Sequence, residues 1–383
     1  MNEHVRHIEA APSLAPGETH RARHVIFLGT AHDNGGSSVM AGNLAQAMRA
    51  QGHEVEEWYL FTSSADPKHA RIFSRAGRSR SPLQLARLFW RVVRELRARK
   101  SDAVIGLQPL SNLIAGAAGR MAGIPKRIAT LHNPSGEFRP VLMQLDRVLG
   151  KLGLYTKIVA CSSSVAETFR HNGPRYCERL AVIRNGHAAP VLIERRQARA
   201  ELGLPLEGML LGQIGRISPQ KNQDFSVGLL SDVPGGHLLL VGSGPDEAAV
   251  KAAIAAGGLS NRSHLRPAID HARVGAFYSA VDLVLFPSRF EGLSLAAIEA
   301  VHAGVPLLCS DIPSFRELFA GHPLLTSTLL LPLSDRRAWV ARIHTLLEDA
   351  ALRTQIVAEL KALSPSYTFE RMAHDYVRLI EAA

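Results

Sequence analysis

The sequence predicts an α/β protein of two domains, each a parallel β-sheet covered by helices. Short apolar runs alternate with helical patterns along the chain, which is typical of parallel sheets. At 383 residues the chain is longer than one core usually supports. The alternation breaks once, at residues 184–205, and then begins again. We therefore place the domain boundary in this stretch.

The strands of the first half are apolar runs closed by polar or glycine-containing turns. They are HVIFLG (24–29), HEVEEWYLF (53–61), DAVIGLQ (102–108), KRIATLH (126–132) and KIVACSS (157–163). The helical pattern SSVMAGNLAQAMRAQG follows the first strand and ends at Gly52. Residues 1–22 mix charge, proline and histidine, which predicts a disordered tail rather than a signal peptide.

The second half shows the same alternation. Its strands are MLLGQIGRI (209–217), HLLLVGSGP (237–245), SHLRPA (263–268), DLVLFPS (282–288) and PLLCSD (306–311), and its helices span 246–256, 272–281 and the residues from Ser294. Ligands of open parallel sheets bind beyond the carboxyl ends of the strands. We therefore expect the functional residues in the strand-to-helix loops, and a cleft where the two domains face each other.

Composition and charge narrow the function classes. The net charge is +10, and residues 71–100 contain nine arginines and one lysine against Glu95 alone. This excess suits phosphates, a membrane surface or nucleic acid, but 6% aromatic residues and no recognisable motif argue against nucleic acid. Three cysteines without a CxxC pair indicate neither a disulfide framework nor a zinc site. With no apolar run long enough to cross a bilayer, we expect a cytoplasmic protein.

Two loops carry groups suited to an anion. The stretch GTAHDNGGSSVM places Gly35 and Gly36 before a helix, where backbone amides and the helix dipole favour a phosphate, although a tight turn is the simpler interpretation. The stretch GRISPQKNQDF places Arg216 and Lys221 just after a strand. Such a pair can bind a diphosphate, and two solvated surface charges are the alternative.

The stretch FPSRFEGLSLAAIEAVHAGVP (286–306) has one glutamate in a loop and one in the following helix. Glu291 could accept hydrogen bonds from a sugar, and Glu299, which has three alanines nearby in the sequence, from the vicinal hydroxyls of a ribose. The backbone amides at the helix start could hold a phosphate, and belong to Gly292, Leu293, Ser294 and Leu295. A sugar nucleotide would satisfy all these groups, whereas the alternative is an ordinary salt bridge.

Five motifs together resemble the retaining glycosyltransferases of family four, which have the GT-B fold. They are GGSSVMAGNLAQAMRAQGHEV, VIRNG, GRISPQKNQDF, LLLVGSGPDEAAV and PSRFEGLSLAAIEAVHAGVPLLCSD. The resemblance implies two Rossmann-like domains facing an interdomain cleft. Its expected limits are an N-terminal acceptor domain (23–186), a C-terminal nucleotide-sugar domain (187–365) and a last helix (366–383) packed back on the N-terminal domain.

The resemblance also implies a role for each candidate residue. Arg216 and Lys221 would bind the donor diphosphate. Glu291 would contact the donor sugar, and Glu299 would hold the ribose hydroxyls. The amides of residues 292–295 would contact sugar and phosphate, with Gly35 and Gly36 approaching the phosphate from the N-terminal domain. His132, at the end of a strand, would bind the donor sugar or orient the acceptor.

Three departures from the family pattern stand out. EGLS replaces the common EGFG, Pro267 stands where a glycine near the base is usual, and RNGH replaces PNGV at the linker, which we interpret as a tolerated hinge variation. The chain contains no DxD motif, which predicts a metal-independent reaction without a cofactor. Fixed cations and a helix N-terminus would stabilise the departing nucleoside diphosphate.

The acceptor is less well indicated. Residues 81–100 predict a helix capped by Ser81, with Pro82 at its first position and arginines at 87, 91 and 94 on the polar margin. Its apolar stripe comprises Leu85, Leu88, Phe89, Val92, Val93 and Leu96. The helix could dock on an anionic membrane at the inner face of the cytoplasmic membrane, where polyprenyl-diphosphate-linked acceptors reside, or simply pack on its sheet.

The sequence thus predicts transfer of a hexosyl group from a nucleotide-diphosphate sugar, with UDP the expected nucleotide. The expected acceptor is a glycan or lipid-linked glycan in polysaccharide or lipopolysaccharide biosynthesis. Alternatives are a glycosyltransferase acting on a small soluble acceptor, a non-catalytic nucleotide-sugar binding protein and a sugar-nucleotide epimerase, which the two-glutamate pattern fits poorly.

Overall fold

The chain folds into two compact units, each built on one parallel sheet. The computed structural model describes residues 6–7, 21–32, 36–62, 70–74, 81–270 and 273–382. Unit 1 comprises Met1–Gly186 and Thr368–Ala383, and unit 2 comprises His187–Tyr367. None of the described helices combines the length and apolar character needed to cross a bilayer.

Unit 1 contains an eight-stranded parallel sheet in the order β1-β8-β7-β6-β5-β2-β3-β4. The strands are β1 (Arg6–His7), β2 (His24–His32), β3 (Glu54–Thr62), β4 (Arg71–Ser74), β5 (Ala103–Gly106), β6 (Lys126–Leu131), β7 (Lys157–Ala160) and β8 (Leu180–Val182). All five predicted strands are present. The structure adds β4, β8 and β1, which lies within the stretch predicted to be a disordered tail. The rest of residues 1–20 lies outside the described residues.

The helices of unit 1 connect these strands. They are α1 (Gly36–Ala50), α2 (Pro82–Arg99), α3 (Pro109–Ala122), α4 (Pro140–Lys151), α5 (Ser163–Glu167) and α6 (Pro174–Cys177). α2 begins with a proline, whose missing N–H costs nothing there, and Lys100 closes it in the left-handed conformation, with φ 49°.

The apolar stripe of α2 is mainly core, which corrects one interpretation of this helix. Leu88, Val92, Val93 and Leu96 are at most 5% exposed and pack with side chains of β2, β3 and α3. Burial of each contributes roughly 1.5–3 kcal/mol to stability. Leu85, at the start of the stripe, is 36% exposed, so only this end of the predicted stripe faces outward.

Unit 2 contains a six-stranded parallel sheet in the order β11-β10-β9-β12-β13-β14. The strands are β9 (Leu210–Ile214), β10 (His237–Val241), β11 (Ser263–Arg266), β12 (Leu283–Phe286), β13 (Leu307–Ser310) and β14 (Leu330–Leu331). The five predicted strands of this half are present, and β14 is an addition.

The helices of unit 2 follow the strands in alternation. They are α7 (Arg195–Glu201), α8 (Gln223–Ser231), α9 (Glu247–Ala256), α10 (Val274–Ala280), α11 (Leu295–Ala303), α12 (Pro313–Leu318), α13 (Pro323–Leu329), α14 (Arg336–Glu348) and α15 (Ala350–Leu363). The last helix, α16 (Phe369–Glu381), belongs to unit 1, where it contacts α1. The Thr368 hydroxyl caps α16 by accepting from the Arg371 amide.

The strand order places a crevice in each sheet. In unit 2 the chain proceeds outward from β9 in one direction through β10 and β11, and from β12 in the other through β13 and β14. The loops after β9 and β12 therefore diverge to opposite faces, and the point between them is where such sheets bind ligands. The corresponding point in unit 1 lies between β2 and β5.

Candidate functional site

The loops after β9 and β12 carry most of the predicted site residues, and hydrogen bonds join the two loops. The Arg289 amide donates to the Gln220 carbonyl at 2.8 Å, and the Asn222 side chain donates to the Pro287 carbonyl at 3.1 Å. Asn222 adopts the left-handed conformation, with φ 57°, at the turn into α8. The residues of these loops therefore form one connected surface in unit 2.

The two predicted cations lie in the loop after β9. Lys221 is mostly buried, its side chain passes over Gly215, and its carbonyl accepts a 2.7 Å hydrogen bond from Gln213. The side chain of Arg216 is exposed and makes no hydrogen bond or ion pair with another described residue, while its backbone carbonyl accepts from Gln223. One cation is thus held in place and the other extends into solvent.

The loop after β10 supports this arrangement from the side. A Cβ placed on Gly242 would lie 2.0 Å from the Gly215 carbonyl oxygen, and one on Gly244 would lie 2.0 Å from that of Ile217. Gly242 also has a φ of 152°, which favours glycine. Backbone therefore packs directly on backbone at these two points.

Glu291 is not the unpaired loop carboxylate that the sequence suggests. It is 7% exposed, accepts from Lys221 Nζ at 2.6 Å and from the Ser288 hydroxyl at 2.7 Å, and lies 3.4 Å from the Gln220 amide nitrogen. The ordinary salt bridge considered as an alternative therefore exists, but between Glu291 and Lys221. A sugar hydroxyl would meet a carboxylate whose orientation is already set by three side chains.

The start of α11 has the features expected of an anion site. Ser294 occupies the N-cap position, is 4% exposed, and its Oγ has no hydrogen-bond partner among the described residues. Leu293 is buried beside it, and Gly292 and Leu295 flank the pair. A buried hydroxyl without a partner is costly, so its presence at a helix N-terminus indicates a place for a hydrogen-bonding ligand.

Glu299 lies inside α11, roughly 7–8 Å along the helix axis from Ser294. It is 6% exposed, and burial raises its pKa to about 7. The Tyr278 hydroxyl lies 2.8 Å from Oε2, and His187 Nε2 lies 3.3 Å from Oε1. The sequence reasoning missed Gln220, Tyr278 and His187 as neighbours of the site. Only His187 left a signal, as the unusual RNGH.

His132 follows β6 at the carboxyl edge of the unit 1 sheet. His132 lines a cavity of about 1010 Å³ together with Thr30, Phe61, Leu85, Leu107, Gln108, Pro109, Leu110, Thr130, Asn133 and residues 138–142. The Thr30 hydroxyl is buried and has no partner among the described residues. Gly36 is the first residue of α1, and Gly35 lies outside the described residues.

Hydrogen bonds assign the tautomer of His132. The Thr130 hydroxyl donates to the Gly106 carbonyl at 2.7 Å, so it accepts from His132 Nε2, 2.9 Å away. Burial lowers the pKa of His132 to about 4, which keeps the ring neutral at physiological pH. The proton therefore sits on Nε2, and Nδ1 carries a lone pair that can accept a proton or a hydrogen bond.

The metal-ligating side chains that lie close together in the described residues are not at this site. They are His24, Glu54 and Glu56, on β2 and β3. Arg99 and the Trp58 ring nitrogen already lie 3.1 Å and 3.0 Å from Glu56 oxygens. This cluster is therefore explained by its protein partners.

Known proteins similar to this chain fall in one group. Residues 194–362 match the family described as Glycosyl transferases group 1, and residues 34–187 match Glycosyltransferase Family 4. The D-inositol 3-phosphate glycosyltransferase of Jonesia denitrificans is 25% identical, with 91% of each chain covered. The lipopolysaccharide core biosynthesis mannosyltransferase LpsB of Rhizobium meliloti is 30% identical over 41% of this chain and 46% of its own.

Solved structures agree on the fold. The Anabaena protein Alr3699/HepE, crystallised in complex with UDP and glucose, is 19% identical, with a TM-score of 0.81 over 94% of this chain and 100% of that chain. Two Rossmann-like units with parallel sheets and this structural similarity define the GT-B fold. The chain belongs to the family-four glycosyltransferases, whose two family models together match most of its length. The predicted fold class and family are thus confirmed.

Proposed function

We propose that this enzyme transfers a hexosyl group from a UDP-sugar to a glycan or lipid-linked glycan acceptor in polysaccharide or lipopolysaccharide assembly. The observation that carries the proposal is the pairing of Lys221 with Glu291 just before the unpartnered Ser294 hydroxyl at the start of α11, the helix that also carries the buried Glu299. Each of these groups matches one part of a nucleotide sugar.

The diphosphate of the donor binds at the cationic side chains of this surface. Lys221 Nζ has three donors, so it can bind a phosphate oxygen while it remains paired with Glu291. The exposed Arg216 can close on the same diphosphate with two parallel hydrogen bonds. The Ser294 hydroxyl and the start of α11 add neutral donors. Together they stabilise the charge that develops on the leaving group, and we propose that no metal or cofactor is needed.

The hexose and the ribose of the donor bind to the two carboxylates. Glu291, oriented by Lys221 and Ser288, accepts from the hexose hydroxyls, and Glu299 accepts from the ribose hydroxyls. UDP and a hexose are supported by the Anabaena protein, which was crystallised with UDP and glucose, and by the Rhizobium relative, whose name specifies a mannosyltransferase.

The cavity of unit 1 suits an acceptor with an apolar portion. Its lining combines polar groups, among them the Thr30 hydroxyl and His132, with the apolar side chains of Phe61, Leu107 and Leu110. We propose that His132 Nδ1 accepts a hydrogen bond that orients the acceptor hydroxyl or binds the donor sugar. Apolar side chains are exposed at Leu83 and Trp90 of α2 and at Val141, Leu145 and Val148 of α4 and Leu152 after it, and Val141 also lines the cavity.

These outward side chains support contact with an anionic membrane. Arg87 and Arg139 are exposed on the same two helices, α2 and the start of α4, where they could meet lipid phosphates. Because most of the α2 stripe is core, the proposed contact involves Leu83, Trp90 and α4 rather than the stripe itself. The enzyme would then reach a polyprenyl-diphosphate-linked acceptor from the inner face of the cytoplasmic membrane.

A small soluble acceptor is the second candidate. The Jonesia relative, which matches this chain over 91% of its length, is named for transfer to an inositol phosphate. A non-catalytic nucleotide-sugar binding protein would retain the donor groups but show no release of nucleotide. The two acceptor classes differ in whether detergent-solubilised prenyl-linked glycans or soluble inositol phosphates are glycosylated.

The test is release of nucleoside diphosphate from UDP- and GDP-hexoses, first alone and then with each acceptor class. We expect Arg216→Ala and Glu299→Ala to reduce release at least tenfold, because each removes a charge-assisted contact worth about 1.5–3 kcal/mol. Arg337→Ala, an exposed arginine on α14, is the matched control and should match wild type. Unchanged release in both site variants would refute the assignment.

A further inference from the structure

His187 lies behind Glu299 in the interior of unit 2. Its side chain is 2% exposed, and its Nε2 lies 3.3 Å from Glu299 Oε1. Its Nδ1 lies 3.0 Å from the Ala188 carbonyl oxygen. A carbonyl oxygen only accepts hydrogen bonds, so Nδ1 carries a proton. Nε2, which faces Glu299, therefore has a lone pair if the ring is neutral and carries a second proton if the ring is charged.

The contact between these groups needs a proton of its own. A neutral ring and an ionised carboxylate would place a lone pair against a negative oxygen at 3.3 Å in a buried site. One proton between Nε2 and Oε1 removes that repulsion, whether it sits on the ring or on the carboxyl. The position of this proton decides whether Glu299 is charged.

The hydrogen bonds of Tyr278, which contacts the other oxygen of the Glu299 carboxyl, depend on the same proton. Its hydroxyl lies 2.7 Å from the Ala296 carbonyl oxygen and 2.8 Å from Glu299 Oε2. It has one hydrogen to donate. When it donates to Ala296 it can only accept from a protonated Glu299, whereas an ionised Glu299 takes that hydrogen bond itself.

We propose that His187 is a positioning residue that keeps Glu299 ionised for the ribose. The imidazole holds on Nε2 the proton that the buried carboxyl would otherwise take up, so both carboxylate oxygens remain acceptors for vicinal hydroxyls. This inference rests on the proposed function, in which Glu299 binds the donor ribose.

The remaining titratable groups around the pair have other partners. His302, one turn further along α11, contacts the Ser364 hydroxyl and the Tyr367 carbonyl. Lys221 and Glu291, at the other end of the helix, pair with each other at 2.6 Å. Tyr278 is the ionisable neighbour that α10 contributes, and burial beside Glu299 raises its pKa well above the ordinary value, so it stays protonated.

The experiment measures the dissociation constants of UDP and of 2′,3′-dideoxy-UDP by calorimetry across the pH range in which histidine and the buried carboxyl titrate. The dissociation constant of 2′,3′-dideoxy-UDP divided by that of UDP isolates the contribution of the ribose hydroxyls, because both ligands carry the same diphosphate. In wild type the ratio should be high at neutral pH and fall on the acid side, where Glu299 becomes protonated.

His187→Val removes the opposing charge, so the fall should move to higher pH by about one unit or more. On the acid limb this is about a tenfold loss of ribose-dependent affinity per unit. His187→Gln restores an N–H toward Oε1 but cannot carry the proton as a cation, so its curve should lie between the two. If the valine variant does not fold, His187→Gln alone tests whether His187 keeps Glu299 ionised. His302→Gln is the matched control and should reproduce the wild-type curve.

Coincident curves for wild type, His187→Val and His187→Gln, with the ratio lost in Glu299→Gln, would show that His187 only fills space and would overturn the inference alone. A ratio near one for wild type at every pH would overturn the ribose role of Glu299, and the role of His187 with it. Absence of binding of either nucleotide would refute the proposed donor.

Discussion

Ser294→Ala should change stability and ligand affinity in opposite directions. The Ser294 hydroxyl is buried and has no partner among the described residues, and a group of this kind costs roughly 1–3 kcal/mol. Loss of an N-cap serine usually costs about 1 kcal/mol, but here the side chain makes no capping hydrogen bond. The free energy of unfolding of the ligand-free variant should therefore rise by about 1 kcal/mol or more.

The same substitution should weaken nucleotide binding. A hydrogen bond to a charged phosphate oxygen is worth about 1.5–3 kcal/mol, which corresponds to a ten- to hundredfold increase in the Kd for UDP. Urea unfolding of the free protein and calorimetric titration with UDP measure the two effects separately.

Ser263→Ala supplies the control in the same unit. The Ser263 hydroxyl is also unpartnered among the described residues, but it lies at the amino end of β11, away from the proposed site. This variant should gain stability without losing affinity for UDP. If Ser294→Ala were less stable than wild type and bound UDP equally well, the hydroxyl would serve the helix and the ligand assignment would be wrong.

Two further predictions concern pH and the α2 helix. Burial raises the pKa of the Glu299 carboxyl from its ordinary value of 4.5 to about 7 in the folded protein, so ionisation of this carboxyl should cost stability as pH rises through this window, most of all in His187→Val, which lacks the opposing imidazole. Glu299→Gln should remove that decline and raise the free energy of unfolding above neutral pH by at most roughly 3 kcal/mol, as urea unfolding at both ends of the window would measure. Leu88→Ala should cost about 2–5 kcal/mol, whereas Leu83→Ala should cost less than about 0.5 kcal/mol and weaken binding to anionic vesicles. Loss of vesicle binding only in Leu88→Ala would refute the proposed membrane contact.

The sequence was sufficient to predict which loops carry the candidate residues. Parallel strands and the loops that follow them are local features, and the loops after β9 and β12 were recognisable from turn residues and charges. That these loops meet follows from the strand order, in which β12 pairs with β9. Strand order depends on pairing between distant segments, so the sequence could suggest the neighbours without showing the contact.

The pairing of individual charges was not predictable in the same way. Glu291 and Lys221 are seventy residues apart, and nothing local distinguishes a carboxylate that faces a sugar from one that is paired with a lysine. Likewise, helical periodicity identified the apolar face of α2, but it could not distinguish a face packed on a sheet from one that meets a membrane. His187 was visible as an unusual residue, although its partner depends on the fold.

The contacts of Gly242 and Gly244 bear on how this enzyme could diverge. Because carbonyl oxygens occupy the space that any side chain would need, even alanine would push the adjoining segments apart. The path of the main chain beneath the cationic loop is therefore restricted by sterics, independently of what the loop binds. New donor preferences would arise most readily through changes to exposed side chains of this loop, such as Arg216, while the main chain stays unaltered. Such side chains are therefore the better targets for redesign.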